Sequence, residues 1–174
     1  EAQRLEHVVL GTPCGLLDQM TMMHSLEGHC LLIEFSTKTT KTMSIPADWT
    51  FKLVDSGIHR ALNSENYQET STEETKRRHV ESENRRVQDA MNSDSAMLGM
   101  FLNETHESLK TIGVSTPEVD ALVESLQSIS GVHGARMMGG GFGGMILVLV
   151  ENESVLPEYE IVVPSRPGFV EEFF

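Results

Sequence analysis

The chain has 174 residues, and 13 Lys and Arg against 26 Asp and Glu give a formal charge of −13. Apolar residues at 39% and charged residues at 22% match a globular protein and exclude a disordered one. The acidic balance excludes the basic footprint that phosphate backbones and anionic bilayers require, so neither nucleic acid nor membrane is expected as a partner.

The start, Glu1-Ala-Gln-Arg-Leu-Glu6, has no basic region followed by an apolar run, so it reads as helix interior rather than signal peptide. Both ends are abrupt, and the chain is read as part of a longer protein. Leu5, Val8 and Val9 predict a first helix to Val9, broken by the turn residues Gly11-Thr-Pro-Cys-Gly15. Leu16 to His24 resumes a helical pattern. Cys30 to Phe35 is a short apolar strand, with Lys41 to Ile45 as its weaker partner. Cys14 and Cys30 are the only cysteines, too few for a disulfide scaffold, so a reduced, cytoplasmic compartment is expected.

Phe51 to Asp55 is the next strand. Lys76 to Met91 is predicted as a helix carrying the i,i+4 pairs Glu74–Arg78 and Glu81–Arg85, with Val80, Val87, Ala90 and Met91 as its inward stripe. Asp94 caps a helix from Ser95 to Lys110, with Met97, Leu98, Phe101, Leu102 and Leu109 inward. Thr116-Pro117 starts another, whose apolar residues run from Val119 to Ile129 and which Gly131 ends. Val132 to Met138 and Met145 to Val150 are strands flanking a glycine cluster, and Glu160 to Val163 is a last strand. The ten methionines read as core filler. The order of elements predicts α+β, an antiparallel sheet with helices on one face, after a boundary near Trp49.

Two segments suggest chemistry. In Gly11-Thr-Pro-Cys-Gly-Leu-Leu-Asp-Gln19, Asp18 falls just inside a helix. A helix N-terminus favours the ionised carboxylate, Gly15 admits a ligand close to the backbone, and a charged, oriented carboxylate can accept a hydroxyl proton. The same spacing suits an Asp that merely satisfies free amides of its own first turn. In Gly139-Gly-Gly-Phe-Gly-Gly144, five of six residues are glycine between two strands. Either their amides approach phosphate oxygens, or the run is a tight corner. His24, His29, His59, His106 and His133 have no metal-ligand spacing, and no metal ligands are expected in this chain.

Four segments in order resemble the galactokinase branch of the GHMP small-molecule kinases. They are Thr12-Pro-Cys-Gly-Leu-Leu-Asp-Gln19, Val54-Asp-Ser-Gly-Ile-His59 followed by Ser64-Glu-Asn-Tyr67, Thr105-His-Glu-Ser-Leu109 with Val114 to Asp120, and Gly131 to Gly144. The resemblance covers about Glu1 to Val150. It implies that residues 1–49 end an N-terminal domain and that residues 50–174 form a shortened, ferredoxin-like C-terminal domain. It further implies ATP-dependent phosphorylation of galactose, or a close relative, to the sugar 1-phosphate with Mg²⁺. Asp18 would be the catalytic carboxylate, Gly15, Asp18 and Tyr67 would contact the sugar, and Gly139, Gly140, Gly141, Gly143 and Gly144 would lie near the phosphate. The family's sugar-recognition motif and its main phosphate loop are not in this sequence, and the stretch between Tyr67 and Lys76 is shorter than in the family. A fragment inactive alone and self-associating through an exposed face is therefore expected. The alternatives are a non-catalytic sugar or nucleotide sensor and an interaction fragment.

Overall fold

The computed structural model describes residues 2–9, 11, 14–58, 71–165 and 168. The chain divides into two units, Glu1–Ile45 with Val163–Phe174, and Pro46–Val162.

The first unit has two short helices, α1 (Ala2–Val9) and α2 (Leu17–His24), and an antiparallel hairpin of β1 (His29–Glu34) and β2 (Thr39–Ser44). Leu31 pairs with Thr42 at the hairpin's centre. Met20 is the buried residue of α2, whereas Val8, Val9, Met22 and Met23 are exposed. One hairpin and two two-turn helices offer too little surface to enclose a core of their own.

The second unit is built on a three-stranded antiparallel sheet in the order β3-β5-β4, from β3 (Thr50–Asp55), β4 (Val132–Met137) and β5 (Met145–Val150). Three helices complete it: α3 (Glu73–Ala90), α4 (Ser95–Thr111) and α5 (Pro117–Gln127). Thr72, Asp94 and Thr116 cap them by accepting from Thr75, Met97 and Val119 amides. The α+β class with antiparallel strands stands. In detail, the helices expected on one face are divided between both. Ile146, Val148 and Val150 pack with Val119, Val123 and Leu126 of α5, while the alternate residue Leu149 packs with Leu98 and Leu102 of α4. The cause is β5, apolar at every position, which needs cover on both sides.

Helix α4 touches β4 through backbone. A Cβ on Gly99 would fall 2.3 Å from the His133 carbonyl oxygen, and one on Gly134 would fall 2.1 Å from that of Gly99. The outer edge of β4 is covered by side chains. Ala135 N–H donates to Asn103 at 3.0 Å, Met137 N–H to His106 Nδ1 at 3.5 Å, and Gln127 donates to the Ala135 carbonyl at 3.0 Å. This blocks further strand pairing there.

Several expectations need correction. The stripe expected to dock α3 is partly exposed, with Val80 54% and Val87 44% accessible. Polar groups face α4 instead: His79 bonds Ser108 at 2.8 Å, Thr105 donates to Glu83 at 3.1 Å, and Arg86 pairs with Glu83 and lies 3.6 Å from Glu104. Glu74 pairs with Arg78 as expected, but Glu81 pairs back to Arg77 at 3.0 Å. Of the methionines, Met20 and Met137 are buried, while Met97, Met100, Met138 and Met145 are exposed with Met22 and Met23. Unbranched side chains are helix formers wherever they point, so their number does not report burial. Helix α5 ends at Gln127, before Gly131, and leaves Ile129 exposed. Residues 160–163 form no strand; Ile161 makes one isolated bridge to Lys52, and Val162 N–H donates to the Phe51 carbonyl at 2.9 Å. Pro164 follows at once and has no amide to extend that pairing.

Candidate functional site

Asp18 lies in the first turn of α2, with its side chain exposed. Leu16 occupies the N-cap position and makes no side-chain cap bond. Asp18 enters no recorded hydrogen bond or ion pair among the described residues, so it does not serve as a cap for its own helix. A carboxylate left unengaged beside free helix N–H groups is open to a ligand hydroxyl. Gly15 precedes it by one turn. A Cβ there would meet nothing within 4 Å among the described residues, so none of their packing requires glycine at this position.

The loop before Asp18 is held from α1. Gln3 Nε2 donates to the Cys14 carbonyl at 3.0 Å. His7 Nε2 lies 2.9 Å from the same carbonyl and 3.1 Å from the Cys14 amide nitrogen, which donates to it in the tautomer with Nε2 unprotonated. Gln19 Nε2 donates to Glu6 at 2.7 Å and approaches Cys14 Sγ at 3.6 Å. The Cys14 thiol donates to Glu6, which raises the thiol's pKa and, with Gln19, lowers that of Glu6. Sequence reading missed this group. Its signal was the spacing of Gln3, Glu6 and His7, which share one side of a helix at i, i+3 and i+4.

The glycine loop belongs to the second unit. Gly139, Gly141, Phe142, Gly143 and Gly144 all have positive φ. Two of these glycines are required by the chain itself. A Cβ on Gly141 would lie 2.6 Å from the Val114 carbonyl oxygen, and one on Gly143 would lie 2.2 Å from that of Ile58. Phe142 N–H donates to Val114 at 2.8 Å and Gly144 N–H to Ile58 at 2.9 Å, while Ser56 N–H donates to the Gly144 carbonyl at 3.0 Å. Gly139 and Gly144 face open space on their Cβ side. The loop thus ties the turn after β3 to the α4–α5 connection, and only part of it stays free for a ligand. Tyr67 and His59 lie outside the described residues. No group of three His, Cys, Asp or Glu among the described residues is arranged to hold a metal.

Two buried charge-bearing groups were also unforeseen. Lys52 is 1% exposed and donates from Nζ to the Glu153 and Leu156 carbonyls, both at 2.8 Å, which pins the segment after β5 to the sheet. His106 is 1% exposed. Its Nε2 lies 3.2 Å from Asp120 Oδ1, outside hydrogen-bond alignment. Burial lowers its pKa against the opposing pull of Asp120. No helix among the described residues is long and apolar enough to cross a membrane.

Residues 81–158 match the family described as GHMP kinases C terminal. The chain is 30% identical over 88% of its length to the galactokinase of Roseiflexus sp. (strain RS-1), and 32% identical over 86% to that of Canis lupus familiaris. It spans about half the length of these curated relatives, 50% and 48%. A solved structure of Lactococcus lactis galactokinase complexed with galactose superimposes with a TM-score of 0.72 at 26% identity, covering 86% of this chain and 50% of that one.

Proposed function

We propose, from the premise that this chain belongs to the GHMP kinases and spans the C-terminal portion of their galactokinase branch, that it forms part of an ATP-dependent sugar 1-kinase. The acceptor is galactose or a close relative, and the product its 1-phosphate. The observation that carries this reading is the extent of the likeness, which runs over 86% of the chain to a galactokinase complexed with galactose. In this reading residues 1–49 end the N-terminal domain and residues 50–174 are the C-terminal domain, at work in the cytoplasm.

Phosphoryl transfer of this class needs mostly positioning and charge stabilisation. Asp18, exposed and unengaged among the described residues, orients the anomeric hydroxyl and takes its proton. Gly15, without a Cβ, lets the sugar lie against the backbone, and Tyr67 supplies a further sugar contact. Gly139 and Gly144, open on their Cβ side, line the path of the transferred phosphate with Gly140. Mg²⁺ and the main phosphate loop are assigned to the half that the relatives have and this chain does not span. Mg²⁺ offsets phosphate charge when bound.

A coupled ADP-release assay with galactose tests the reading. This chain alone is expected to give no turnover, and the same chain joined to the upstream half is expected to reach the ordinary kinase range of about 1–100 s⁻¹. Galactose binding without turnover by the joined protein would replace the enzyme with a sensor.

A further inference from the structure

We infer that Gln3 and His7 of α1 are positioning residues: by holding both polar groups of Cys14 they aim the Gly15 N–H and the first turn of α2 toward the sugar. The inference rests on the proposed sugar-kinase reading. Its geometry comes from one peptide unit. The Cys14–Gly15 peptide is trans, so its carbonyl and the Gly15 N–H point in opposite directions. Gln3 fixes that carbonyl toward α1 at 3.0 Å, which turns the Gly15 N–H away from α1, and His7 Nε2 accepts from the Cys14 amide at 3.1 Å. No acceptor is recorded for that N–H among the described residues.

Nothing else in the described loop sets this direction. Leu16 provides no side-chain cap, so the entry angle of α2 is not fixed where helices usually fix it. Contacts from α1 take over that task. His7 holds the Cys14 amide, Gln3 its carbonyl, and Glu6 reaches past both to Gln19 in the first turn of α2 and to the Cys14 thiol. Gln19 keeps its Nε2 on Glu6 although its Oε1 is buried without a partner. A buried acceptor is costly to leave unpaired, so the Glu6 contact outweighs the alternative amide orientation. Three α1 side chains thus converge on the residue just before Gly15, and Asp18 follows one turn later. An effect on rate is expected because a misplacement of about 1 Å can cost roughly 100-fold.

Two measurements test the inference. In this chain, hydrogen exchange at the Cys14 amide is expected to quicken about tenfold or more in His7→Leu, and to stay slow in His7→Gln, whose carbonyl can accept the same N–H. In the protein carrying the upstream half, Gln3→Ala and His7→Leu are expected to lower kcat about 10- to 100-fold. Galactose KM should stay within about threefold and melting temperature near that of the parent, and His7→Gln should recover most of the rate. Unchanged kcat in both variants, in a protein that Asp18→Asn inactivates, overturns the positioning role and leaves the kinase reading standing. A fall in melting temperature that parallels the loss of rate, without rescue by His7→Gln, overturns it too. Unchanged kcat in Asp18→Asn overturns the catalytic role of Asp18, and absence of turnover in the parent protein overturns the kinase reading and this inference together.

Discussion

The Asp18 turn and the glycine loop reach their shapes by opposite means. Side chains hold the turn: Gln3 and His7 grip Cys14, and Glu6 grips Gln19. Backbone holds the glycine loop, through the carbonyls of Val114 and Ile58 and the absent Cβ atoms of Gly141 and Gly143. The lesson concerns what a glycine means. At Gly141 and Gly143 the chain's own oxygens claim the space. At Gly15 nothing among the described residues does.

The largest expected effect breaks the comparison on its chemical side. In the protein with its upstream half, Asp18→Asn removes a proton acceptor and a charge while keeping size, so kcat should fall about 10²- to 10⁴-fold. Sugar affinity should change by about tenfold or less, since one hydrogen bond is worth about 0.5–1.5 kcal/mol. Steady-state kinetics beside calorimetric sugar binding reads both quantities. Parallel collapse of the two would make Asp18 a binding residue instead.

A smaller effect sharpens the structural side. Gly143→Ala drives a methyl into the Ile58 carbonyl at φ +137°, and strained backbone alone costs about 1–3 kcal/mol. Gly15→Ala meets nothing and should stay within about 0.5 kcal/mol, as exposed substitutions usually do. Urea denaturation of the two variants checks the contrast. Equal losses would show that Gly15 serves packing after all.

The smallest effect is a pH dependence confined to the second unit. Burial lowers the pKa of His106, and it lowers that of His79 against the pull of Glu83. Each folded imidazole therefore prefers the neutral form. Their contribution is complete above about pH 6.5, the ordinary imidazole value, and is lost as pH falls below it. The slope for each group cannot exceed about 1.4 kcal/mol per pH unit. Urea melts between pH 7.5 and 5.5 stay above the range where Glu6, Glu34 and Glu74 protonate, since all three have lowered pKa values. His106→Gln should flatten the curve, whereas stability that rises on acidification would contradict the assignment.

Local pattern was enough to place every element of the fold to within a few residues. Helix caps at Asp94 and Thr116 and the turn residues around Gly11 and Gly131 act over three or four positions, and such short-range chemistry is written directly in the chain. The candidate segments were legible for the same reason, since Gly11 to Gln19 and Gly139 to Gly144 are each contiguous. Packing was not legible. An all-apolar β5 carries no mark of which face each helix covers, and a helix such as α3, docked by His79, Glu83 and Arg86, hides its inward side behind polar residues. Nor could a count of glycines separate those that yield to Val114 and Ile58 from the one at position 15, which meets nothing among the described residues. Sequence alone determined the elements and the two motifs, because their causes are local. Tertiary structure alone decided which faces are covered, that Lys52 and His106 are buried, and that α1 holds the Asp18 turn, because each depends on groups that the fold brings together from distant parts of the chain or across a loop.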